Sequence, residues 1–307
     1  MRLIKIGINT LKRYGIAELI YKTFFHCVNE INNVISVGKV KKAKLEYGLS
    51  RGDNRQEKVI VSLTSYPPRF AKIGLCLKSL LLQDIKPNRI IVYLGSDSKE
   101  ADLTDEMRAM RQYGIEYRFD TERNLKPHKK YYYAMQEFPN DVIVTADDDI
   151  IYPHNWLGKL ILSYKKYPNA ISAWRVHKIE FDEKGDVKPY REWRSQYRRI
   201  TTPSRELCAT GGGGAVYPPY LLNKTAFDDT VFMEICPYAD DLWLKCMEII
   251  SGIPVVWVKS YAVGAPAVDK EQTDALNVHN VAGGMNDRQL KAIMERYHIN
   301  SSEFKDK

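Results

Sequence analysis

The chain has 307 residues, of which 44% are apolar, 27% charged and 11% aromatic. This is the composition of an ordinary folded protein, and it excludes an intrinsically disordered chain, a collagen and a low-complexity sequence. The formal net charge of +8 is compatible with nucleic-acid binding, so the position of that charge along the chain matters.

The positive charge is concentrated at the N-terminus. Residues 1–58 contain twelve Lys or Arg and five Asp or Glu, a net charge of +7, which leaves only +1 for residues 59–307. Phosphate-backbone binding needs a basic face on the folded domain, so nucleic acid is not expected as a partner.

Cysteine usage and hydropathy indicate the compartment. The five cysteines are odd in number and lack a C-x-x-C spacing, so we expect neither a disulfide framework nor a zinc cluster, and a reducing cytosol fits best. No apolar run approaches the roughly 20 residues of a membrane-spanning helix, and Met1 to Gly15 lacks a signal-peptide pattern. We expect a cytoplasmic protein.

Apolar residues between Leu3 and Ile35 recur at spacings of three and four with basic residues between them, which predicts amphipathic helices interrupted at Gly7 and Gly15. Such a segment either packs on the main domain or a second subunit, or lies on an anionic membrane through residues 1–45. The polar stretch Val37 to Glu57 is the expected linker.

From residue 59 the pattern changes to short apolar runs that alternate with helical periodicity, which predicts βαβ units and a largely parallel sheet. The expected strands are 59–64, 89–94, 115–119, 141–146, 170–175 and 253–258. The expected helices are 72–83, 103–113, 129–138, 155–167, 237–250 and 287–297, with a hairpin turn at 182–185. We therefore predict an α/β fold of three parts: a basic helical segment with its linker (1–57), a catalytic domain (58–285) and a C-terminal helix and tail (286–307).

Three adjacent carboxylates, Asp147, Asp148 and Asp149, follow the apolar strand 141–146. Like charges so close together repel unless a cation neutralises them, and a hard divalent metal is a natural solution. The crevice beyond the carboxyl ends of strands is also where open α/β sheets bind ligands. A solvated acidic turn before the next helix is the alternative.

An ordered set of motifs resembles the nucleotide-sugar glycosyltransferases of the GT-A fold, in particular bacterial enzymes that build capsule, lipopolysaccharide or other surface glycans. The set comprises Ser62, Thr64 and Tyr66 on the first strand, Asp147 to Pro153, the glycines 211–214, and Asp240-Asp241 at the start of a helix. The resemblance covers about residues 58–285.

The resemblance implies roles for the acidic motif. Asp147 would lie near the nucleotide ribose, Asp149 would ligate Mn²⁺ or Mg²⁺ together with Asp147, and Asp148 would be the variable middle position on the donor side. A bound dication stabilises the charge that accumulates on a departing diphosphate. His279 would be a further metal ligand from the C-terminal region, although a lone His in a polar loop often has no such role.

Other donor-binding positions come from loops. In the turn after the first strand, Thr64 and Tyr66 would contact the base and ribose and Arg69 the phosphates, unless the prolines make only a rigid surface turn. Lys130, with Lys129 as second choice, would contact the diphosphate or order the donor, unless the two lysines only form a solvated, basic helix start. Gly212 and Gly213 would allow close backbone approach to the donor sugar, or form a mere flexible loop.

Asp240 and Asp241 begin a helix, where acids often serve only as caps. The family pattern instead implies a catalytic base, normally the second acid, which favours Asp241 and keeps Asp240 as the alternative. The aromatic residues expected on the acceptor side are Trp156, Trp174, Tyr190 and Trp193; core packing is the default for any one of them.

These observations predict a metal-dependent glycosyltransferase that moves a sugar, from a UDP-sugar by preference, to a glycan or lipid-linked acceptor in surface polysaccharide synthesis, with inversion favoured. It would be cytoplasmic, peripheral on the inner face of the cytoplasmic membrane. The alternatives are a sugar-nucleotide pyrophosphorylase-like enzyme, which the turn 66–69 matches poorly, and a non-catalytic basic protein that binds membrane or nucleic acid.

Overall fold

A seven-stranded sheet forms the centre of the molecule. The structure is a computed structural model that describes residues 2–52, 57–260, 265–266 and 284–306. The strands of the central sheet are β1 (Val59–Thr64), β2 (Arg89–Leu94), β3 (Ile115–Phe119), β4 (Val142–Ala146), β6 (Ile171–Ala173), β9 (Ala215–Tyr217) and β10 (Val255–Trp257), in the order β10-β6-β9-β4-β1-β2-β3. All neighbouring pairs are parallel except those that β9 makes with β4 and β6.

Two small antiparallel sheets accompany the central one. They pair β5 (Ile150–Ile151) with β11 (Ala265–Pro266), and β7 (Val176–Lys178) with β8 (Leu207–Ala209). The helices are α1 (Arg2–Lys42), α2 (Gly74–Leu81), α3 (Asp105–Met110), α4 (Lys129–Glu137), α5 (Trp156–Lys166), α6 (Asp229–Ile235), α7 (Asp240–Ile250) and α8 (Met285–Tyr297).

Alternation along the strands builds a core on each face of the sheet. In β1, Ile60 packs into a core with α4, α7 and α8, while Val59 and Val61 pack into a second core with α2, α3 and α5. Both faces are covered, which explains why β1 is apolar at nearly every position. The predicted α/β fold with a mostly parallel sheet is confirmed.

The N-terminal segment differs from its prediction. Within α1 only Gly15 interrupts helical geometry, with φ of 79° and ψ of 177°, whereas Gly7 lies within regular helix. The helix continues to Lys42, so the predicted start of the linker at residue 37 is wrong. Residues 43–52 pack along the domain, because Gly48 N donates to Tyr113 O (2.8 Å) and Leu45 and Leu49 contact the second core.

Two further findings bear on the prediction. The hairpin turn at 182–185 is confirmed, since Asp182 N donates to Asp186 O (2.9 Å) and Phe181 pairs with Val187. Among the described residues, no helix combines the length and apolarity needed to cross a bilayer.

Candidate active site

The carboxyl ends of the parallel strands open onto a cavity of about 880 Å³. Thr64 ends β1, Asp147 follows β4, and Arg175 follows β6, and all three line the cavity. Parallel strands end at one edge, so side chains far apart in sequence converge there. Of the predicted catalytic, donor-binding and metal-binding residues that the structure describes, every one except Gly213 lines this cavity; His279 lies outside the described residues.

The turn after β1 is tied to the acidic motif after β4. Arg69 Nη1 lies 2.5 Å from Asp148 Oδ1 and 3.1 Å from Asp149 Oδ2, and Ser65 Oγ donates to Asp148 Oδ2 (2.6 Å). Burial opposes the charge on Arg69, yet the two carboxylates raise its pKa above the ordinary value. Protein cations therefore supply part of the neutralisation that the sequence assigned to a metal.

Asp148 and Asp149 differ in their environments. Asp148 is buried and holds Ser65 and Arg69, so in this structure it fixes the turn after β1. The side chain of Asp149 is 34% exposed, on the cavity wall. Burial and the nearby carboxylates of Asp147 and Asp148 raise its pKa to about 6.

Tyr66 and Thr64 line the cavity, and each also contacts another residue of the protein. The guanidinium of Arg69 lies 5.5 Å from the centroid of the Tyr66 ring, and Thr64 Oγ1 donates to Tyr93 O (2.8 Å). The Tyr66 ring is therefore placed beside a cation, and the Thr64 hydroxyl keeps its lone pairs for a ligand.

Lys130 is the central cation of the site. It comes from the first turn of α4, is buried, and its Nζ lies 2.8 Å from Asp147 Oδ1 and 2.8 Å from Asp240 Oδ2. Burial disfavours the ammonium, but the carboxylates of Asp147, Asp240 and Asp241 raise the pKa of Lys130 well above its ordinary value. The second choice from the sequence, Lys129, donates instead to Asn124 Oδ1 (2.7 Å).

The two acids at the start of α7 have different partners. Asp240 pairs with Lys130, whereas Asp241 Oδ1 accepts from Gly211 N (2.8 Å). Burial and the neighbouring carboxylate of Asp240 raise the pKa of Asp241 to about 7. A carboxylate with a pKa near neutrality is suited to accept a proton at physiological pH.

The glycines between β8 and β9 form a tight turn over residues 211–213. A Cβ on Gly212 would lie 2.6 Å from Arg175 Nη2, and one on Gly213 would lie 2.7 Å from Arg175 N. Gly213 does not line the cavity; its carbonyl accepts from Trp156 Nε1 (2.8 Å). The absence of side chains in this turn leaves room for Arg175. It also exposes the backbone of Gly211 and Gly212 to the cavity.

Of the aromatic residues expected on the acceptor side, two line the cavity. Tyr190 and Trp193 lie there with ring centroids 4.9 Å apart. Trp156 packs on Tyr152 in the core, and Trp174 is buried away from this cavity, so the prediction is wrong for those two.

The acidic motif alone supplies only some of the ligands that a metal ion needs. Within the described part of the chain, no three or more His, Cys, Asp or Glu side chains form a ready-made metal cage. Small dications in phosphate-transfer sites often use one or two carboxylates and take other ligands from substrate phosphates. The carboxylate of Asp149, one third exposed on the cavity wall, and that of Asp147 fit that arrangement.

Sequence reasoning missed Arg175. Its Nε donates to Thr210 Oγ1 (2.6 Å), and its charge acts on Asp147 and Asp149. A lone Arg at the end of the mostly apolar predicted strand 170–175 was the available signal, because the residues at and just beyond the carboxyl end of a parallel strand reach the ligand edge. Ser65 and His177 on the cavity wall were missed as well.

Solved structures with a related arrangement share little sequence with the chain. A mannosyltransferase from Pyrobaculum calidifontis, in complex with GDP-mannose and Mn²⁺, is 12% identical, with 92% of this chain and 82% of that chain covered and a TM-score of 0.47. A CMP:2-keto-3-deoxy-manno-octonic acid synthetase with CTP is 11% identical over 79% of this chain and 100% of that chain, with a TM-score of 0.42. A 4-diphosphocytidyl-2C-methyl-D-erythritol synthase is 12% identical over 74% and 100%, with a TM-score of 0.41.

Sequence comparison gives the family. No curated protein matches the chain in sequence. The family model described as glycosyl transferase family 2 matches residues 68–224, which is just over half of the chain and includes the acidic motif and the glycine turn. The chain therefore belongs to glycosyl transferase family 2, and it is an enzyme that transfers a sugar from a nucleotide-sugar donor.

Proposed function

We propose that the enzyme is a metal-dependent, inverting glycosyltransferase that uses a UDP-sugar and acts on a glycan or lipid-linked acceptor in surface polysaccharide synthesis. One observation carries the proposal: Asp147 and Asp240 meet at Lys130, with Asp149 and Asp241 on the wall of the same cavity. Family membership decides against the pyrophosphorylase-like and non-catalytic alternatives.

The donor side is the wall that carries Arg69, Lys130 and Arg175. These three cations line one cavity and are each held by a carboxylate or hydroxyl, so they present fixed positive charge to a diphosphate. Thr64 and Tyr66 lie at the same end of β1, where a nucleobase and ribose would be bound. Gly212 leaves room for the Arg175 guanidinium, with which a side chain there would collide, and its backbone lines the cavity where the donor sugar is proposed to bind.

The metal site is proposed at Asp149 and Asp147, with the donor phosphates as further ligands and His279 as an additional candidate. A bound Mn²⁺ or Mg²⁺ would stabilise the negative charge of the leaving diphosphate. Asp148 positions Arg69 and Ser65 beside this site. Arg69 in turn holds Asp149 at the cavity wall.

Asp241 is the proposed catalytic base. Its carboxylate would take the proton from the acceptor hydroxyl as that oxygen attacks the anomeric carbon from the side opposite the diphosphate, which inverts the configuration. The hydrogen bond from Gly211 N orients the carboxylate. The carboxylate of Asp240 is already engaged in the ion pair with Lys130, which favours Asp241 over Asp240 for this role.

The acceptor is proposed to bind beside Tyr190 and Trp193. The partly exposed ring of Tyr190, packed on the buried ring of Trp193, offers an apolar face against which a sugar ring can stack. A glycan and a lipid-linked saccharide share that sugar chemistry. The enzyme is proposed to work in the cytoplasm, at the inner face of the cytoplasmic membrane.

The test compares Asp241→Asn with Asp240→Asn, since the two substitutions are chemically identical and one residue apart. We expect Asp241→Asn to lower kcat by roughly a hundredfold or more and to leave donor affinity near that of the wild type. Asp240→Asn should instead weaken donor binding, because Lys130 loses a partner. Turnover is measured with a panel of UDP- and GDP-sugars, and affinity by thermal shift with the nucleotide and Mn²⁺.

The outcomes separate the possible assignments. Loss of turnover in Asp240→Asn alone would move the base to Asp240. Full activity in both variants would exclude a base at this helix and favour a retaining mechanism. Donor-dependent thermal shifts in every case would still support a nucleotide-sugar enzyme.

A further inference from the structure

Helix α1 turns its apolar side chains away from the domain. Between Gly15 and Lys39 the exposed large apolar residues are Ile16, Ile20, Phe24, Ile31, Val34 and Ile35, each at least half exposed. At 3.6 residues per turn these six positions fall within an arc of about 100° and extend about 30 Å along the helix. We call this set the outer stripe. A stripe of this size on a free surface marks an interaction site.

The opposite face of α1 is occupied by the domain. Glu18 is buried and forms an ion pair with Arg199, and the guanidinium of Arg198 lies 4.8 Å from the centroid of the Phe25 ring. Further along, Asn33 and Val40 are buried. The docked orientation of the helix therefore fixes which side is exposed, and it is the apolar side.

Basic residues lie at both ends of the outer stripe. Lys12 lies exposed at one end, and Lys39, Lys41, Lys42 and Lys44 lie exposed at the other. The segment against which α1 packs is also basic, since residues 188–199 hold five Lys or Arg and one Glu. An apolar strip between basic clusters matches the chemistry of an anionic lipid surface, with acyl chains beneath phosphate headgroups.

A second copy of the chain fits this surface less well. Pairing two outer stripes would bring together two N-terminal segments of net charge +7, each with twelve basic residues and only five acidic ones. We propose that α1 lies in the interface of an anionic membrane, with the outer stripe among the headgroups and upper acyl chains. The sequence left this contact and a subunit contact as alternatives, and the exposed stripe with its basic surroundings favours the membrane.

This placement has a consequence for the acceptor, which rests on the proposed function. Residues 190–199 connect α1 to the active site, because Arg198 and Arg199 contact α1 while Tyr190, Trp193 and Gln196 line the cavity. A membrane-bound α1 would hold the acceptor wall next to the lipid surface. A saccharide on a lipid anchor could then enter the cavity without leaving the membrane.

The experiment measures co-sedimentation of the full chain with vesicles of phosphatidylcholine, with and without phosphatidylglycerol, at low and high salt. The test variant is Ile31→Asp with Val34→Asp. The matched control is Leu162→Asp, an equally exposed apolar residue on α5. We expect salt-sensitive binding to the anionic vesicles, about tenfold weaker or more in the test variant and unchanged in the control.

A second variant tests charge alone: Lys41→Glu with Lys42→Glu should weaken binding to anionic vesicles and leave the outer stripe intact. Each protein is also examined by sedimentation velocity without lipid. Vesicle binding that Ile31→Asp with Val34→Asp leaves intact would overturn the proposal. So would a stable dimer of the wild type that this variant dissociates, with no vesicle binding, since the stripe would then be a subunit interface. Donor hydrolysis, measured separately without lipid, reports on the proposed function alone.

Discussion

The proposed metal ligand Asp149 should make donor binding depend on pH. Its pKa of about 6 lies above the usual range of an Asp, so protonation begins at a mildly acidic pH. A metal ligand must be deprotonated, and we therefore expect Mn²⁺-dependent binding of UDP to weaken as the pH falls through about 6. In Asp149→Asn the Mn²⁺ dependence should be lost at every pH, with the fold retained. Isothermal titration with UDP, with and without Mn²⁺, measures both effects.

A control carboxylate separates this effect from general acid sensitivity. Glu122 is exposed and lies outside the cavity, so Glu122→Gln should leave the pH profile of UDP binding unchanged. Unaltered Mn²⁺ dependence in Asp149→Asn would remove Asp149 from the metal site. Asp147 would then remain as the candidate acidic ligand of the metal.

The sequence allowed some single site residues to be predicted and not others, as Asp149, Lys130 and Arg175 show. Asp149 was identifiable because three carboxylates follow an apolar strand, and Lys130 because the family resemblance pointed to it. That Arg69 and Lys130 share the neutralisation of these acids was not predictable, since both pairings join residues far apart in sequence. Arg175 was missed because its significance depends on the neighbours that the fold provides.

The glycine turn between β8 and β9 determines how closely Arg175 can approach the backbone of the site. A Cβ on Gly213 would lie 2.4 Å from Arg175 Cβ and 2.7 Å from Arg175 N, so backbone must move to admit it. We expect Gly213→Ala to displace Arg175, to weaken donor binding about tenfold and to destabilise the fold by about 1–3 kcal/mol. Thermal unfolding and UDP titration measure the two effects.

Gly38 supplies the matched substitution. It lies inside α1 with no heavy atom within 4 Å of a built Cβ, so Gly38→Ala should leave donor binding unchanged and stabilise the helix by up to about 1 kcal/mol. Equal effects of Gly213→Ala and Gly38→Ala on donor binding and on stability would show that the close approach of Gly213 to Arg175 is not important for the site.

Elements with strong local signals were predicted well. The observed bounds of β1, β2 and β3 agree with the predicted ones, because β1 and β2 are mostly apolar runs and β3 alternates apolar and charged residues. The strand β9 was missed because its three residues follow four glycines and run antiparallel to their neighbours. Helix α6 was missed as well; its Asp228 cap was visible, but its seven residues are too few to show a clear period.

At the scale of the molecule, α1 contributes little to the core. Among the side chains of α1 that the structure describes, the buried large apolar ones are Phe25 and Val40, and neither belongs to the two cores on the faces of the sheet. Residues 43–52, in contrast, add Leu45 and Leu49 to the second core and donate backbone hydrogen bonds from Gly48 and Ser50. This distribution favours a domain boundary at residue 43 instead of the predicted residue 58.

A pair of truncated chains tests that boundary. A chain that begins at Ala43 loses Phe25 and Val40, the two buried apolar side chains described in α1, each contributing about 1.5–3 kcal/mol before the opposing entropy of ordering α1. We expect it to stay folded, with a Tm lower by less than about 10 °C, and to keep donor hydrolysis. A chain that begins at Lys58 also uncovers Leu81, which packs directly on Gly48. It should unfold at a clearly lower temperature and aggregate more readily than the chain from Ala43. Differential scanning calorimetry of both chains measures the difference, and equal Tm values would return the boundary to residue 58.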